Sequence, residues 1–114
     1  MTKPHKPTAP RHLAPATRRW WRSVVSDWEL EEHHVRLLTL AAEAWDRCGE
    51  ARELVKSQGL TFTTRLGELR QNPAVGVERD SRLAFARLIR ELDLDLEGPK
   101  DGARPPRLRS TVGE

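Results

Sequence analysis

The chain has 114 residues, of which 32% are charged, and a formal net charge of +3 at pH 7. This length gives one domain, and the single cysteine, Cys48, excludes a disulfide framework and suits a reducing compartment. No apolar run approaches the ~20 residues of a membrane span, and the polar N-terminus lacks the apolar region of a signal peptide. We therefore expect a cytoplasmic protein with no membrane partner.

Positive charge is concentrated at the two ends of the chain. Residues 1–22 contain six basic residues and no acidic one, and residues 98–114 contain four basic residues against two acids, which leaves −5 for the rest. Like charges gathered on one segment act as a multivalent patch, for which phosphate backbones are the commonest target. The alternative is that the basic ends only keep the chain in solution. We predict DNA contacts from Lys3, Lys6, Arg11, Arg18, Arg19, Arg22, Arg104, Arg107 and Arg109.

The chain begins with an arm and a short helix. Three prolines within residues 1–14 remove backbone donors and favour extended geometry, so we expect this segment to be a disordered basic arm. The first helix is predicted from Pro15, because proline is tolerated in a first turn, to Trp28. Trp21 and Val25 precede Trp28 at helical spacing and predict the buried side of this helix.

A long central helix is predicted from Glu31 to Gln58, with Gly59 as its stop signal. Small apolar residues recur along it at alternating spacings of four and three, so that another helix could approach closely. Leu38 and Trp45 form a second apolar row, which suggests one partner inside the subunit and one outside it. We predict that the small-residue stripe is an oligomer interface, formed by Leu37, Ala41, Ala44, Cys48, Ala51 and Val55.

The sequence changes character after the central helix. Residues 60–70 are β-branched and aromatic around a possible turn, which predicts a short β-hairpin. Asn72 and Pro73 are typical of the start of a third helix, which should end near Leu92. The fold class is therefore mainly α: three helices, one of them long and central, with a β-hairpin insert and disordered basic arms. The predicted divisions are an arm over 1–14, a helical oligomerisation domain over 15–97 and a basic tail over 98–114. The inner face of the third helix is predicted to contain Val77, Ala84, Leu88 and Leu92, with Phe85 and Ile89 beside it.

No motif for catalysis or metal binding is recognised. The run Glu31-Glu32-His33-His34 has the wrong spacing, because ligand pairs on a helix lie three or four residues apart, and we interpret it as a solvated helix start. Cys48 lies within an alanine-rich helix face and is expected to be a buried structural thiol. The chain contains no phosphate-cradling loop and no nucleophile motif. We predict no catalytic residue, no metal and no cofactor.

The order of the segments resembles a known family. A proline-bearing arm leads into HLAPATRRWW, and a long helix ends in AWDRCGEARELVKSQG. The hairpin segment TFTTRLGELRQNP follows, and a helix then closes with RLAFARLIRELDLDLEGP before the basic tail. This order over residues 12–109 is similar to that of the phage terminase small subunits.

The resemblance implies that residues 15–97 form a DNA-packaging domain. Proteins of this family recognise viral DNA, assemble into homo-oligomeric rings and hand the DNA to the terminase large subunit, which has the ATPase and nuclease. The resemblance thus implies a non-catalytic adaptor in the cytoplasm of the infected bacterial host. Two other functions stay open from the residues alone: a small dimeric helical DNA-binding regulator or antitoxin, and an enzyme such as a nuclease. The sequence lacks the residue spacing that metal ligands require, which argues against the enzyme. The number of subunits in the assembly distinguishes the ring-forming adaptor from the dimeric regulator.

Overall fold

A computed structural model of the chain describes residues 7–95. Helix α1 spans Pro15–Asp27, α2 spans Glu32–Gln58 and α3 spans Pro73–Asp95. Strands β1, Thr61–Thr63, and β2, Leu69–Gln71, lie between α2 and α3 and pair antiparallel. The predicted mainly helical fold with a hairpin insert is confirmed, and every helix boundary lies within three residues of its predicted position.

Side chains at the helix starts explain where α2 and α3 begin. The Glu31 side chain accepts the backbone N–H of His34, and His34 Nδ1 accepts the backbone N–H of Glu31 at 2.9 Å, which forms a capping box. His34 is buried, so the expectation of a fully solvated helix start is wrong at this residue. Asn72 Oδ1 accepts the backbone N–H of Ala74 at 3.0 Å, and Pro73 occupies the first helical position, as predicted.

The described part of the N-terminal arm is packed against the helices. Ala9 and Leu13 are buried, and the backbone N–H of Leu13 donates to the carbonyl oxygen of Pro10 at 3.4 Å in a turn. Residues 7–14 are therefore ordered in the structure, because two apolar side chains anchor a segment that its prolines and charges predicted to be disordered. The rest of the arm, residues 1–6, and the tail beyond residue 95 lie outside the described residues.

The hydrophobic core joins α1, the first half of α2 and the end of α3. Trp21 and Leu38 are fully buried, and Trp21 Nε1 donates a hydrogen bond to Thr39 Oγ1 at 3.1 Å, so the indole keeps its polar partner. Leu92 brings the end of α3 into the same cluster. The cluster consists of Ala9, Leu13, Trp21, Val25, Leu38, Ala42 and Leu92.

The small-residue stripe of α2 is used inside the subunit. Ala41, Cys48 and Ala51 are buried, and Cys48 Sγ lies 3.7 Å from the Glu78 carbonyl oxygen of α3. These three positions are covered by the same chain and are not free for a second subunit, which corrects their assignment to an oligomer interface. Leu37 packs against the core cluster, while Ala44 and Val55 are half-buried. The physical reason is that small side chains let another helix approach closely, and in the structure that helix is α3.

The inner face of α3 differs from the predicted one. Val77 and Ala84 are exposed, whereas Ala74 and Leu92 are buried and Phe85, Leu88 and Ile89 are half-buried. The buried stripe therefore passes through polar positions that hydrophobic spacing alone does not reveal, namely Glu78 and Ser81, both half-buried.

Asp46 of α2 caps the N-terminus of α1. Its two carboxylate oxygens accept the backbone N–H of Ala14 at 2.8 Å and the hydroxyl of Thr17 at 2.6 Å. Ala14 occupies the N-cap position and has no polar side chain of its own, so a residue 32 positions away supplies the missing acceptor. The negative charge also complements the positive end of the α1 dipole. One side chain thereby fixes α1 to the middle of α2.

We predict that Asp46→Ala lowers the free energy of unfolding by about 1–3 kcal/mol, because α1 loses its cap and the buried Thr17 loses a partner. Urea unfolding followed by circular dichroism measures this change. Asp80→Ala is the matched control, since Asp80 makes only an exposed ion pair with Arg79, and it should change stability by less than about 0.5 kcal/mol. Equal effects of the two substitutions would contradict the capping role.

Candidate nucleic-acid interface

Helix α1 presents arginines on the side that faces away from the core. Thr17, Trp21 and Val25 are buried, whereas Arg19 and Arg22 are exposed. Arg19 and Arg22 lie three residues apart, so they are neighbours on the helix surface. Arg18, four residues before Arg22, is half-buried at the edge of this surface, and its Nε has no hydrogen-bond partner within the described residues. We call Arg18, Arg19 and Arg22 the α1 basic face.

The α1 basic face differs from most of the described arginines of α2 and the hairpin in its lack of carboxylate partners. Among the side chains of residues 7–92, none makes an ion pair with its three guanidinium groups. On α2, by contrast, Arg36 donates a hydrogen bond to Glu32 at 2.9 Å, which together with its charge lowers the pKa of that carboxyl. Arginines with a carboxylate partner are Arg36, Arg47, Arg52, Arg70, Arg79 and Arg82. The positive charge of α1 is therefore free to meet an external anion.

The remaining predicted DNA contacts are distributed as follows. Arg11 is exposed in the packed arm segment just before α1. Lys3, Lys6, Arg104, Arg107 and Arg109 lie outside the described residues. Sequence reasoning missed three further exposed arginines without an ion pair among the side chains of residues 7–92, and they are Arg65 in the hairpin turn and Arg87 and Arg90 on α3. The spacing of three between Arg87 and Arg90 was the signal that could have found two of them.

Three aromatic rings line a cleft between the helices. Phe85 of α3 lies 5.1 Å from Trp45 of α2 and 6.1 Å from Trp20 of α1, measured between ring centroids. The cleft has a volume of about 350 Å³ and is completed by Ala16 and Thr17. Trp20 thus packs against Phe85, which favours a packing role for this ring over stacking on a DNA base. Trp45 remains 57% exposed.

An acidic cleft continues from the aromatic one. It shares Trp45 and Thr17 with the aromatic cleft and adds Asp46, Glu50 and Glu53 of α2, and its volume is about 520 Å³. At its other side His12 Nε2 lies 2.8 Å from Glu43 Oε2. Among the described residues, no lysine or arginine lines either cleft. The α1 basic face and this acidic surface therefore give the described part of the chain two surfaces of opposite charge.

The hairpin carries a second exposed surface, which is apolar. Leu66 at its turn is 87% exposed and Leu69 of β2 is 70% exposed. The turn is held by Thr64, whose backbone N–H donates to the Glu68 carbonyl oxygen and whose hydroxyl accepts the Leu66 and Glu68 N–H groups. Gly67 supplies the positive φ of 85° that the turn needs. Phe62, paired with Arg70, and Leu69, paired with Thr63, lie on opposite faces of the hairpin, so apolar side chains are exposed on both faces. We call Leu60, Phe62, Leu66 and Leu69 together the hairpin apolar surface.

The described residues offer binding surfaces. Cys48 is buried, as predicted, with its sulfur near the Glu78 carbonyl oxygen and the Arg52 guanidinium. Among the side chains of residues 7–92 no group of three or more His, Cys, Asp or Glu is arranged to hold a metal ion. In the part of the chain that the structure describes, no helix is long and apolar enough to cross a bilayer. The arrangement presents unpaired guanidinium groups on α1, exposed apolar side chains on the hairpin and carboxylates beside aromatic rings in the clefts.

The described part of the chain is a helical subunit with an unpaired basic face on α1 and exposed apolar side chains on the hairpin. Comparison with protein families identifies the class: the family described as phage terminase, small subunit, matches residues 17–101. The chain belongs to this family, and its role lies in phage DNA packaging. The curated proteins and the solved structures yield no significant match.

Proposed function

We propose that the chain is a non-catalytic, ring-forming DNA-binding adaptor. In this role it recognises viral DNA and regulates the ATPase and nuclease of the terminase large subunit in the host cytoplasm during genome packaging. The observation that carries the proposal is the α1 basic face, whose guanidinium groups have no carboxylate partner among the side chains of residues 7–92. Family membership supports the packaging context.

The basic face suits phosphates better than base edges. Its side chains project from the outer surface of a short helix whose inner side is fixed in the core, so contacts along a DNA backbone need no insertion of α1 into a groove. Binding of this type releases counterions and weakens steeply with salt. Sequence selectivity should therefore be low for this face alone.

We predict that Arg19→Ala with Arg22→Ala weakens DNA binding and reduces the slope of log K against log salt by about 1–2, since each phosphate contact contributes roughly 0.9. Fluorescence anisotropy with a labelled duplex at several salt concentrations measures the slope. The matched control is Arg36→Ala with Arg79→Ala, which removes the same charge from arginines that already have carboxylate partners. An unchanged slope in the α1 variant, or an equal loss in the control, would show that α1 does not meet phosphate.

Oligomerisation is proposed to use the hairpin apolar surface. Within the subunit Ala41, Cys48 and Ala51 of the predicted small-residue stripe are buried, which favours a different surface for the interface. The hairpin segment exposes four large apolar side chains, two of them on its three-residue strands, and an isolated two-stranded hairpin is marginally stable in water. Contact with a neighbouring copy would cover these side chains and stabilise the hairpin. A hairpin that meets a different surface of the next copy gives a heterologous contact, which forms a ring when the rotation between copies closes.

We predict that the chain forms an assembly larger than a dimer and that Leu66→Ser with Leu69→Ser reduces its mass. Size-exclusion chromatography with light scattering measures both. Leu40→Ser with Leu83→Ser is the control, because these leucines are also more than half exposed but lie on α2 and α3. A 13.0 kDa monomer across micromolar concentrations would overturn the ring, and a stable dimer would favour the alternative of a small DNA-binding regulator.

An adaptor without catalytic activity of its own requires a partner that hydrolyses ATP and cuts DNA. We predict that the purified chain hydrolyses no ATP and cuts no DNA, since neither a phosphate-cradling loop nor paired metal-binding carboxylates are recognised in its sequence. Added to its cognate large subunit, it should change the rate of ATP hydrolysis by that subunit. A coupled ATPase assay with and without the chain measures this. Metal-dependent DNA cleavage by the highly purified chain alone would contradict the assignment.

A further inference from the structure

The aromatic and acidic clefts form one continuous groove. Both are lined by Ala16, Thr17 and Trp45, so the groove passes from the ring of Phe85 across Trp45 to Glu53. We call this the α2 groove. Its aromatic half contains the well-exposed ring of Trp45, and its acidic half carries Asp46, Glu50 and Glu53 with no lysine or arginine among the described lining residues. Such a groove fits a ligand with proline or guanidinium groups at one end and further cations at the other.

The acids of the groove retain capacity for an external cation. Glu53 is exposed and makes no ion pair within the described residues. Glu50 contacts Arg47 at 3.3 Å, but both side chains are well exposed, and surface pairs of this kind contribute little and exchange partners easily. Asp46 also lines the groove, while its two carboxylate oxygens accept hydrogen bonds from Ala14 and Thr17.

We propose that the α2 groove binds the C-terminal tail segment Arg104–Arg109 of the same chain. This segment reads Arg-Pro-Pro-Arg-Leu-Arg. Consecutive prolines favour the extended polyproline conformation that docks on aromatic grooves. Its planar guanidinium groups stack on indole faces and pair with carboxylates. The N-terminal residues 1–6 offer lysines instead, which lack the planar group.

The length of the tail allows this contact within one chain. Leu92 packs in the same cluster as Leu38 and Ala42, so α3 ends beside the first half of α2. Phe85 of the groove lies about 15 Å from residue 95 along α3, at 1.5 Å per helical residue. The nine residues from 96 to 104 span up to about 30 Å when extended. The tail arginines therefore reach both halves of the groove.

Docking of the tail in the groove would reduce its binding to DNA, and this consequence rests on the proposed function. Guanidinium groups held by Trp45 and Glu53 are not available to phosphate, so the groove and DNA compete for the same tail. The docking itself requires no DNA, and its test contains none, so failure of the DNA-binding proposal and failure of this one are separate results.

The test uses the full chain and a fluorescein-labelled peptide of residues 98–111. The receptor is the chain with Arg104→Ala, Arg107→Ala and Arg109→Ala, whose own tail no longer competes. Anisotropy should show binding to this receptor and at least about tenfold weaker binding to the unsubstituted chain. Adding Trp45→Ala or Glu53→Lys to the receptor should weaken peptide binding by about tenfold or more. Glu29→Lys is the matched control, because it changes charge equally at an exposed position outside the groove, and it should leave binding unchanged.

Several outcomes would overturn the proposal. Equal loss with Glu29→Lys and Glu53→Lys would indicate a diffuse electrostatic contact. Unchanged binding with Trp45→Ala, in a variant shown by circular dichroism to be folded, would exclude the aromatic half. A peptide with lysine in place of its three arginines should bind more weakly, and equal affinity would exclude guanidinium stacking. In the unsubstituted chain, a tail bound to the groove of its own chain blocks the peptide equally at every protein concentration. If this block weakens as the chain is diluted, the tail comes from a neighbouring copy and the assignment to the same chain is wrong.

Discussion

The close packing of α2 against α3 is the constraint on which the rest of the structure depends. Small side chains at Ala41, Cys48 and Ala51 let the two helices approach, and Asn72 fixes the point at which the chain reverses. Its buried amide donates to the Gly59 carbonyl oxygen at 2.9 Å while its Oδ1 caps α3. One side chain thus joins the end of α2 to the start of α3, so the hairpin projects from a fixed base.

This use of the small residues determines which residues remain outside. Since α3 covers the stripe, larger apolar residues such as Leu40, Leu54 and Leu83 are left exposed on the helices, and the hairpin exposes more. Helix α1 then depends on few contacts: Trp21 in the core, its hydrogen bond to Thr39, and the cap from Asp46. The outer side of α1 makes no ion pair with the described residues, which leaves its arginines for an external anion.

Local signals predicted the elements, while contacts between distant residues set the surfaces. Pro15, Gly59 and the Asn72–Pro73 pair act through the backbone of their own segment, so the helix starts and stops could be read from the sequence. The side of α2 that meets α3 could not, because a stripe of small residues fits an internal helix as well as a neighbouring subunit. On α3 hydrophobic spacing correctly predicted the burial of Leu92 but misplaced Val77 and Ala84, which are exposed. Glu78 is half-buried there instead and pairs with Arg52 and Arg82.

The candidate surfaces divide in the same way. The α1 arginines could be predicted as DNA contacts because they form one block without acids, and the structure places them together on an outward face. The α2 groove could not be predicted, since its rings come from three helices and its acids are spread along α2 between arginines. The exposure of the hairpin side chains could not be predicted from the sequence either, because alternating apolar residues in a strand normally predict one buried face.

The separation of the basic and apolar surfaces matters for an assembly. Asp46, which fixes α1, lies about 18 Å from Gln58 along α2, at 1.5 Å per residue, and the hairpin begins beyond Gln58. Subunits joined through the hairpin would therefore leave the α1 basic face uncovered on every copy. Each added copy would then present further unpaired arginines to the same DNA, and linked sites raise the apparent affinity without any new type of contact. In the proposed assembly, a weak phosphate contact on one short helix would become a strong and salt-sensitive one, and the two surfaces would then serve a single function.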